Sequence, residues 1–296
     1  MRSMHKPLRD QVIVLTGASS GIGLCTAQLA AEQGARLVLV ARSIGTLENL
    51  VEQINSRGGH AIYVDADVGD REQVIDAAQA AVAHFDRIDT WINNAGVSIY
   101  GRLDETTEAD ARRLFDTNFW GVVNGSLAAL PYLKERGGAL INVGSEVSEA
   151  VIPLQGMYSA SKHAVKGFTD ALRIEIEELD KASVSITLIQ PTAVNTPYPQ
   201  HAKNYLDSEP KLPTPMIDPE QVAEAILKAA TEGGRDIKVG LVATLDTTLS
   251  HLAPKAADKM AALQAERQQQ DAPPRNPEGS LYAPGATGHV YGQPPA

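Results

Sequence analysis

Short apolar runs rich in β-branched residues recur along the chain, and they alternate with longer stretches in which apolar residues have helical spacing. Runs this short and this apolar are typical of strands covered on both faces, whereas apolar positions three and four residues apart predict helices packed by one side. We predict strands in QVIVLT from Gln11, RLVLVA from Arg36, AIYVDA from Ala61, IDTWIN from Ile88, ALINVG from Ala139 and VSITLIQ from Val184. We predict helices over residues 21–32, 46–56, 71–84, 107–133, 155–179 and 220–231.

This alternation predicts an α/β fold: a Rossmann-like, doubly wound parallel sheet of about seven strands, with helices on both faces. The last strand is expected near residues 238–242. The pattern continues from residue 11 to residue 243 without a linker. We therefore predict one domain over residues 11–243, preceded by an extension over residues 1–10 and followed by a C-terminal segment over residues 244–296.

Two segments depart from the alternating pattern. Five prolines fall within residues 197–215, which predicts a long loop over 197–217 of the kind that covers binding sites. Residues 244–270 have a weak amphipathic helical pattern, and ten of the 25 residues from 272 to 296 are Pro or Gly. That composition buries little apolar surface and favours a solvated tail. The aromatic residues within it leave open a tail docked on a neighbouring subunit or over the long loop.

Charge and cysteine content exclude several classes of protein. The formal net charge is −10, which disfavours a nucleic acid or an anionic membrane as the main partner. The single cysteine, Cys25, excludes an internal disulfide and a cysteine-rich zinc site, and the seven histidines have no ligand spacing, so we expect no metal. No run is long enough for a membrane span. We expect a cytoplasmic protein.

A glycine-rich turn joins the first predicted strand to the first predicted helix. It reads Thr16-Gly-Ala-Ser-Ser-Gly-Ile-Gly23, and glycine lets a backbone turn tightly and approach a ligand. The N–H groups and partial positive charge of a helix N-terminus bind phosphate. The strand–turn–helix context is the one in which such turns bind dinucleotides, although an ordinary turn remains the alternative for this segment alone.

Tyr158 and Lys162 are four residues apart on a predicted helix, so they share one face. A phenol has a pKa of about 10, and a neighbouring ammonium lowers that pKa. A tyrosine tuned in this way exchanges protons near neutral pH. The alternative for any such pair is an exposed tyrosine beside a solvated lysine.

TGASSGIG resembles the glycine motif of the short-chain dehydrogenase/reductases of roughly 250 residues, and further motifs follow in the same order. They are Asn93-Asn-Ala-Gly96, Asn118 in Asn118-Phe-Trp-Gly121, Ser145, Tyr158-Ser-Ala-Ser-Lys162 and Pro191-Thr-Ala-Val-Asn-Thr196. The last differs from the family pattern because Thr192 replaces glycine. The resemblance covers about residues 10–240.

The resemblance implies a catalytic group made of Asn118, Ser145, Tyr158 and Lys162. Tyr158 is then the general acid/base, and Ser145 polarises the substrate oxygen. Lys162 lowers the pKa of Tyr158 and holds the nicotinamide ribose, and Asn118 anchors a water of a proton relay. A strand-end serine and a helical asparagine are commonly structural when they occur alone. The implied substrate is a small carbonyl or alcohol compound.

The second strand is followed by Arg42 where NAD-binding folds of this kind carry an acidic residue. A cation suits a 2′-phosphate, so we predict NADP(H) as the cofactor, with a solvated Arg42 as the alternative. Asp67 is expected to bind the adenine amine. The implied cofactor-binding residues are Gly17, Ser19, Ser20, Gly21, Ile22, Gly23, Arg42, Asp67, Val68, Asn94, Ala95, Gly96, Tyr158, Lys162, Pro191, Val194 and Thr196.

The function predicted from these residues is an NADP(H)-dependent oxidoreductase that interconverts a secondary alcohol and a carbonyl. An NAD-dependent dehydrogenase of the same family and a non-catalytic NADP-binding regulator are the alternatives. The substrate pocket is expected to be walled by Ser98, residues 146–148, Gln155 and the loop 197–216. The family assembles through two long helices, here 107–133 and 155–179, so we expect a homodimer or homotetramer.

Overall fold

The computed structural model describes residues 5–240, 254–285 and 287–293, and nine strands and nine α-helices lie in these ranges. The strands are β1 (Val12–Thr16), β2 (Arg36–Ala41), β3 (His60–Asp65), β4 (Thr90–Asn93), β5 (Ile99–Tyr100), β6 (Gly138–Val143), β7 (Val184–Pro191), β8 (Lys203–Asn204) and β9 (Asp236–Val239). The helices are α1 (Gly21–Glu32), α2 (Ile44–Ser56), α3 (Arg71–Phe85), α4 (Glu108–Phe115), α5 (Gly121–Arg136), α6 (Gly156–Arg173), α7 (Tyr198–His201), α8 (Pro219–Glu232) and α9 (Pro254–Arg267). The π-helical turns Asp116–Trp120 and Ile174–Leu179 continue α4 and α6.

Seven strands form one parallel sheet in the order β3-β2-β1-β4-β6-β7-β9, and β5 pairs with β8 beside it. The predicted Rossmann-like sheet is therefore confirmed. The strand order reverses between β1 and β4, and ligands of doubly wound sheets bind in the crevice beyond the carboxyl ends of the strands at that point. The motifs of the first, fourth and fifth predicted strands all lie at this edge.

Helices cover both faces of the sheet, and each face has its own apolar core. Leu24 of α1, Leu47 of α2 and Ile226 of α8 belong to one core, while α3 and α5 contribute Ala77 and Leu133 to the other. All five residues of the central strand β1 are buried, whereas the edge strand β3 alternates in exposure. Continuous apolar runs therefore mark the strands that have a helix layer on each side.

The C-terminal segment does not have the solvated arrangement that its composition favours. After α9, residues 268–285 and 287–293 follow the surface of the domain, and Leu281 is completely buried. The segment packs along the loop 197–217, which is the docked alternative. The first part of the predicted C-terminal helical pattern and the end of the predicted last strand fall in residues 241–253, outside the described residues.

Candidate active site

The glycine-rich turn is held against the end of β4 by a fixed set of hydrogen bonds. Asn94 Nδ2 donates to the carbonyl oxygens of Thr16 and Gly17 at 3.0 and 3.2 Å, and the Thr16 hydroxyl accepts the N–H groups of Asn94 and Ala95. Gly17 has a φ of +69°, and a Cβ on Gly23 would lie 2.0 Å from the Gly17 carbonyl oxygen. The turn therefore needs glycine for its own packing.

A groove with about 1020 Å³ of atom-free space, its open mouth included, runs along this turn. The expected cofactor-binding residues that line it are Gly17, Ser19, Ser20, Gly21, Ile22, Gly23, Arg42, Asp67, Val68, Asn94, Ala95, Gly96 and Thr196. The N-terminal residues of α1 thus border the groove, and phosphate groups suit that end. The residues present fit a dinucleotide.

At the far end of the groove, the positive charges of Arg42 and Arg113 both act on Asp67. The carboxylate of Asp67 forms an ion pair with Arg113 and accepts the N–H of Gly69 at 2.9 Å, so it is already engaged within the protein. Burial raises the pKa of Asp67, but the Arg113 hydrogen bond and the other contacts outweigh it and hold that pKa below its usual range. The adenine contact expected for Asp67 has to share this carboxylate. Sequence reasoning missed Arg113, which is 46 residues from Asp67.

A second cavity, with about 830 Å³ of atom-free space, adjoins the groove. Ser145, Tyr158 and Lys162 line it together, and so do Pro191 and Val194. Both spaces are bordered by Ile22, Asn94, Gly96, Thr196 and Tyr198. A ligand in the groove therefore reaches the three polar side chains of the cavity.

Ser145 follows β6 and lines this cavity together with Tyr158 of α6, and the interaction of its hydroxyl with the phenol lowers the pKa of Tyr158. Lys162 Nζ lies 5.7 Å from the Tyr158 ring centre and donates to the Val143 carbonyl at 2.9 Å. One helical turn separates Tyr158 from Lys162, as the spacing in the sequence predicts. The structure thus brings these three side chains to one place.

Burial dominates the ionisation of this group. It raises the pKa of Tyr158 to about 12, against the opposing effect of the Ser145 and Tyr198 hydrogen bonds. Burial also lowers the pKa of Lys162 to about 8. The pKa of Tyr158 therefore lies above its ordinary value, because desolvation of the phenolate outweighs the contacts that favour it. The lowering effect of Lys162 stays a prediction. A protonated phenol is suited to donating a proton.

Asn118 lies in the π-helical turn between α4 and α5 and is fully buried. Its Oδ1 accepts the Val97 N–H at 2.8 Å, and its Nδ2 donates to the Val97 carbonyl and to Ser161. A Cβ on Gly96 would lie 3.6 Å from Asn118 Oδ1 and 3.9 Å from Lys162 Nζ. The amide of Asn118 and the Lys162 ammonium therefore border the same small space, although most of the hydrogen-bonding capacity of the amide is used in bracing the backbone.

Tyr198 is a cavity residue that no motif indicated individually. Its ring centre lies 5.5 Å from that of Tyr158, and its hydroxyl donates to Gln155 Oε1 at 2.7 Å. Gln155 also contacts Gln268 of the C-terminal segment, Nε2 to Oε1, at 2.6 Å. Of the expected pocket walls, Gln155 and Glu146 line this cavity, whereas Ser98 lines the groove. The sequence signal for Tyr198 was its place in the loop 197–216, which was expected to wall the pocket, two residues after Thr196.

Two further observations concern the described ranges only. Within them, no three His, Cys, Asp or Glu side chains are grouped in a way that would hold a metal ion. None of the helices in the same ranges combines the length and the apolar character that a membrane crossing requires.

The sheet order and the groove define a Rossmann-type nucleotide-binding protein. Comparison with known proteins identifies its family, because the model of the short-chain dehydrogenases matches residues 11–205. The chain belongs to this family of oxidoreductases.

Similarity to individual relatives extends past the region of the family match. The chain is 44% identical over 292 residues to the uncharacterized oxidoreductase YxnA of Bacillus subtilis, covering 97% of this chain and 82% of YxnA. It is 34% identical over 276 residues to the dehydrogenase/reductase SDR family member 7B of Xenopus tropicalis, covering 88% and 87% of the two chains.

Two solved structures share the fold. A short-chain dehydrogenase/reductase from Burkholderia phymatum in complex with NAD has a TM-score of 0.75 and 25% identity, covering 90% of this chain and 98% of that one. An alcohol dehydrogenase from Thermococcus sibiricus complexed with 5-hydroxy-NADP has a TM-score of 0.67 and 28% identity, covering 77% and 94%. Nicotinamide cofactors thus occur in structures similar to this chain.

Proposed function

We propose that this protein is an NADP(H)-dependent oxidoreductase that interconverts a secondary alcohol and a carbonyl compound. The observation that carries the proposal is the grouping of Ser145, Tyr158 and Lys162 in one cavity that borders the nucleotide groove, with Lys162 Nζ 5.7 Å from the Tyr158 ring centre. The bound nicotinamide supplies or accepts the hydride. The protein has to hold the substrate oxygen and to move the accompanying proton.

Tyr158 is the proposed general acid of the reduction. Its raised pKa keeps the phenol protonated at neutral pH, so a proton is available for the oxygen that becomes the alcohol. The Ser145 hydroxyl donates a second hydrogen bond to the same oxygen and stabilises the negative charge that develops there. In alcohol oxidation both roles reverse, and Tyr158 has to accept the proton.

Lys162 is proposed to stabilise the phenolate that remains after proton transfer and to bind the nicotinamide ribose. Its ammonium is the charge next to the Tyr158 ring, and it is held by the Val143 carbonyl. Asn118 is proposed to continue the proton path from Lys162, because its Oδ1 borders the space beside Gly96 and retains an acceptor site after bonding Val97.

NADP(H) is proposed over NAD(H) because of the charge at the far end of the groove. Arg42 lines the groove directly after β2, and Arg113 lies close to it through Asp67. Guanidinium groups bind phosphate through paired, charge-assisted hydrogen bonds. The NADP analogue in the Thermococcus sibiricus structure supports this choice, and the NAD in the Burkholderia phymatum structure keeps an NAD-dependent dehydrogenase as the alternative.

The test of the proposed chemistry is a pair of tyrosine variants assayed by NADPH oxidation with a panel of ketones and aldehydes. Tyr158→Phe removes the proton donor and should lower kcat by about 10²–10⁴, while the Kd for NADPH changes by no more than a few fold. Tyr100→Phe is the matched control, since Tyr100 is a buried tyrosine beside Tyr198 that is not among the residues lining the groove or the cavity. It should retain turnover. Undiminished turnover in Tyr158→Phe would contradict the proposed mechanism.

A further inference from the structure

We propose that the C-terminal residues 272–285 and 287–293 form a lid on the cofactor site. This lid supplies the outer wall of the groove, orients Arg42 and has to open when a nucleotide enters or leaves. The inference rests on the proposed binding of NADP(H), and it assigns a function to a segment that lies beyond the family match, which ends at residue 205.

The lid is anchored first on the long loop over residues 197–217. The Glu209 N–H donates to the Ala272 carbonyl, and the Asn204 N–H donates to the Pro277 carbonyl, both at 2.8 Å. Arg275 forms an ion pair at 2.9 Å with Glu209, which is only 4% exposed. A largely buried carboxylate that is satisfied by the C-terminal segment indicates a defined contact, since burying an unpaired charge is unfavourable.

A second anchor lies at the far end of the groove. The Leu281 side chain is fully buried in an apolar cluster with Val97 and Leu114. The Ser280 carbonyl accepts a hydrogen bond from an Arg42 terminal nitrogen at 2.6 Å, and the Leu281 carbonyl accepts from Arg113 Nε at 3.0 Å. The lid thereby binds Arg42, which lines the groove, and its neighbour Arg113, which is paired with Asp67.

The third anchor lies at the glycine-rich turn. The Gly288 N–H donates to the Ser19 carbonyl, and the Gly21 N–H donates to the His289 carbonyl, both at 2.9 Å. The hydroxyl groups of Thr46 and Thr287 are 2.5 Å apart. The segment therefore pairs with both sides of the turn and closes the groove at its phosphate end.

Between the second and third anchors the lid spans the groove without filling it. Ser280, Pro284, Gly285 and Thr287 line the same 1020 Å³ space that the glycine-rich turn lines from the opposite side. The Arg42 hydrogen bonds to the lid come from its two terminal nitrogens, and a guanidinium has five N–H groups. The lid thus borders the groove and leaves N–H donors on Arg42 for a ligand, as expected of a wall of the site.

This arrangement makes nucleotide exchange depend on lid opening. Anchors on both sides of the groove restrict its mouth, so a bound dinucleotide is released only when one of them detaches. Closure by a flexible segment commonly limits the rate of ligand release. Because the lid also adds contacts to the bound state, its loss should increase dissociation more than association.

Stopped-flow measurement of NADPH binding by protein and nucleotide fluorescence tests the lid without an activity assay. A variant truncated after Asp271 should release NADPH at least about tenfold faster, associate faster and have a higher Kd than the full chain. Leu281→Ser should shift the same rates in the same direction by detaching the second anchor. Leu263→Ser is the matched control, since Leu263 lies on α9 and is 70% exposed, and it should leave the rates unchanged.

Hydrogen–deuterium exchange of the full chain provides the second measurement and does not depend on the variants folding. NADPH should slow exchange in residues 272–293 if they cover it. Faster exchange there, together with tighter NADPH binding by the truncated variant, would show that the segment competes with the nucleotide and would overturn the lid. Unchanged rates and unchanged exchange would also overturn it. A full chain that binds neither NADPH nor NADH would instead refute the proposed function.

Discussion

At the scale of single residues, Arg42 lines the groove and is proposed to bind the 2′-phosphate that distinguishes NADP(H) from NAD(H). Arg42→Ala should raise the Kd for NADPH by roughly tenfold or more relative to that for NADH, because a hydrogen bond to a charged group contributes about 1.5–3 kcal/mol and 1.4 kcal/mol is a factor of ten. Titration of each variant with both nucleotides measures that ratio. If Arg42→Ala also loosens the lid, the Kd values for NADPH and NADH rise by the same factor, and their ratio is unaffected. Tighter binding of NADH than of NADPH by the unaltered protein would contradict the NADP assignment.

Lys162 makes the reduction rate sensitive to pH. Burial lowers its pKa to about 8, so the ammonium that is proposed to stabilise the Tyr158 phenolate loses its charge as the pH rises through 8, while Tyr158, with a pKa of about 12, stays protonated. The value of kcat/KM for carbonyl reduction should therefore fall with rising pH above about 8. Ser145→Ala should be slower but retain the same inflection. A profile that is flat between pH 7 and 9 would show that Lys162 does not act through its charge.

The lowered pKa of Lys162 makes the free energy of unfolding rise with pH, whereas the reduction rate is expected to fall. The lowered pKa in the folded protein lies below the ordinary value of 10.5, so the unfolded state binds more protons between these two pH values. The contribution of Lys162 to the free energy of unfolding therefore rises with pH from about 8 to 10.5. At neutral pH the buried ammonium of Lys162 is thus held at a cost in stability.

At the scale of elements, the junction between β1 and α1 depends on backbone packing as well as on the ligand. A Cβ on Gly23 would lie 2.0 Å from the Gly17 carbonyl oxygen, so Gly23→Ala has to displace backbone atoms. We expect it to lower the melting temperature and to weaken NADPH binding by at least about tenfold, because overpacking costs roughly 1–3 kcal/mol. Gly45→Ala on α2 is the control, since no atom lies within 4 Å of its Cβ position. Wild-type stability and affinity in Gly23→Ala would contradict this packing argument.

At the scale of the whole molecule, the expected assembly concerns the outer face of α5 and the preceding turn. Trp120 and Leu127 are seven residues apart, so they share a helix face, and they are 51% and 43% exposed in the single chain. We expect this face to join two copies of the chain, in keeping with the predicted homodimer or homotetramer. Leu127→Asp should lower the molar mass measured by light scattering. Ile44→Asp, at an equally exposed residue on α2, should not. An unchanged mass in Leu127→Asp would place the interface elsewhere.

Local patterns in the sequence were sufficient for the sheet and for the line of motifs along its edge. Apolar runs marked the strands because burial on both faces leaves no polar positions, and the Tyr158–Lys162 spacing follows from one helical turn. The glycines of the turn were recognisable from their spacing in the sequence. The packing explains that spacing, because Gly23 tolerates no side chain. These features depend on residues that are close in the sequence, so the amino-acid sequence by itself determines them.

Tertiary structure decided the features that depend on distant partners. The pairing of Asp67 with Arg113 and the pKa of Tyr158 follow from what surrounds each group, and neither is encoded in its local motif. The C-terminal segment is the clearest case. Its Pro/Gly-rich composition favoured solvation because composition measures apolar burial alone, whereas Arg42, Arg113 and Gly21 bind its backbone carbonyls in the fold. Backbone carbonyl groups are present whatever the side chains are, so only the folded surface could determine where this segment is ordered.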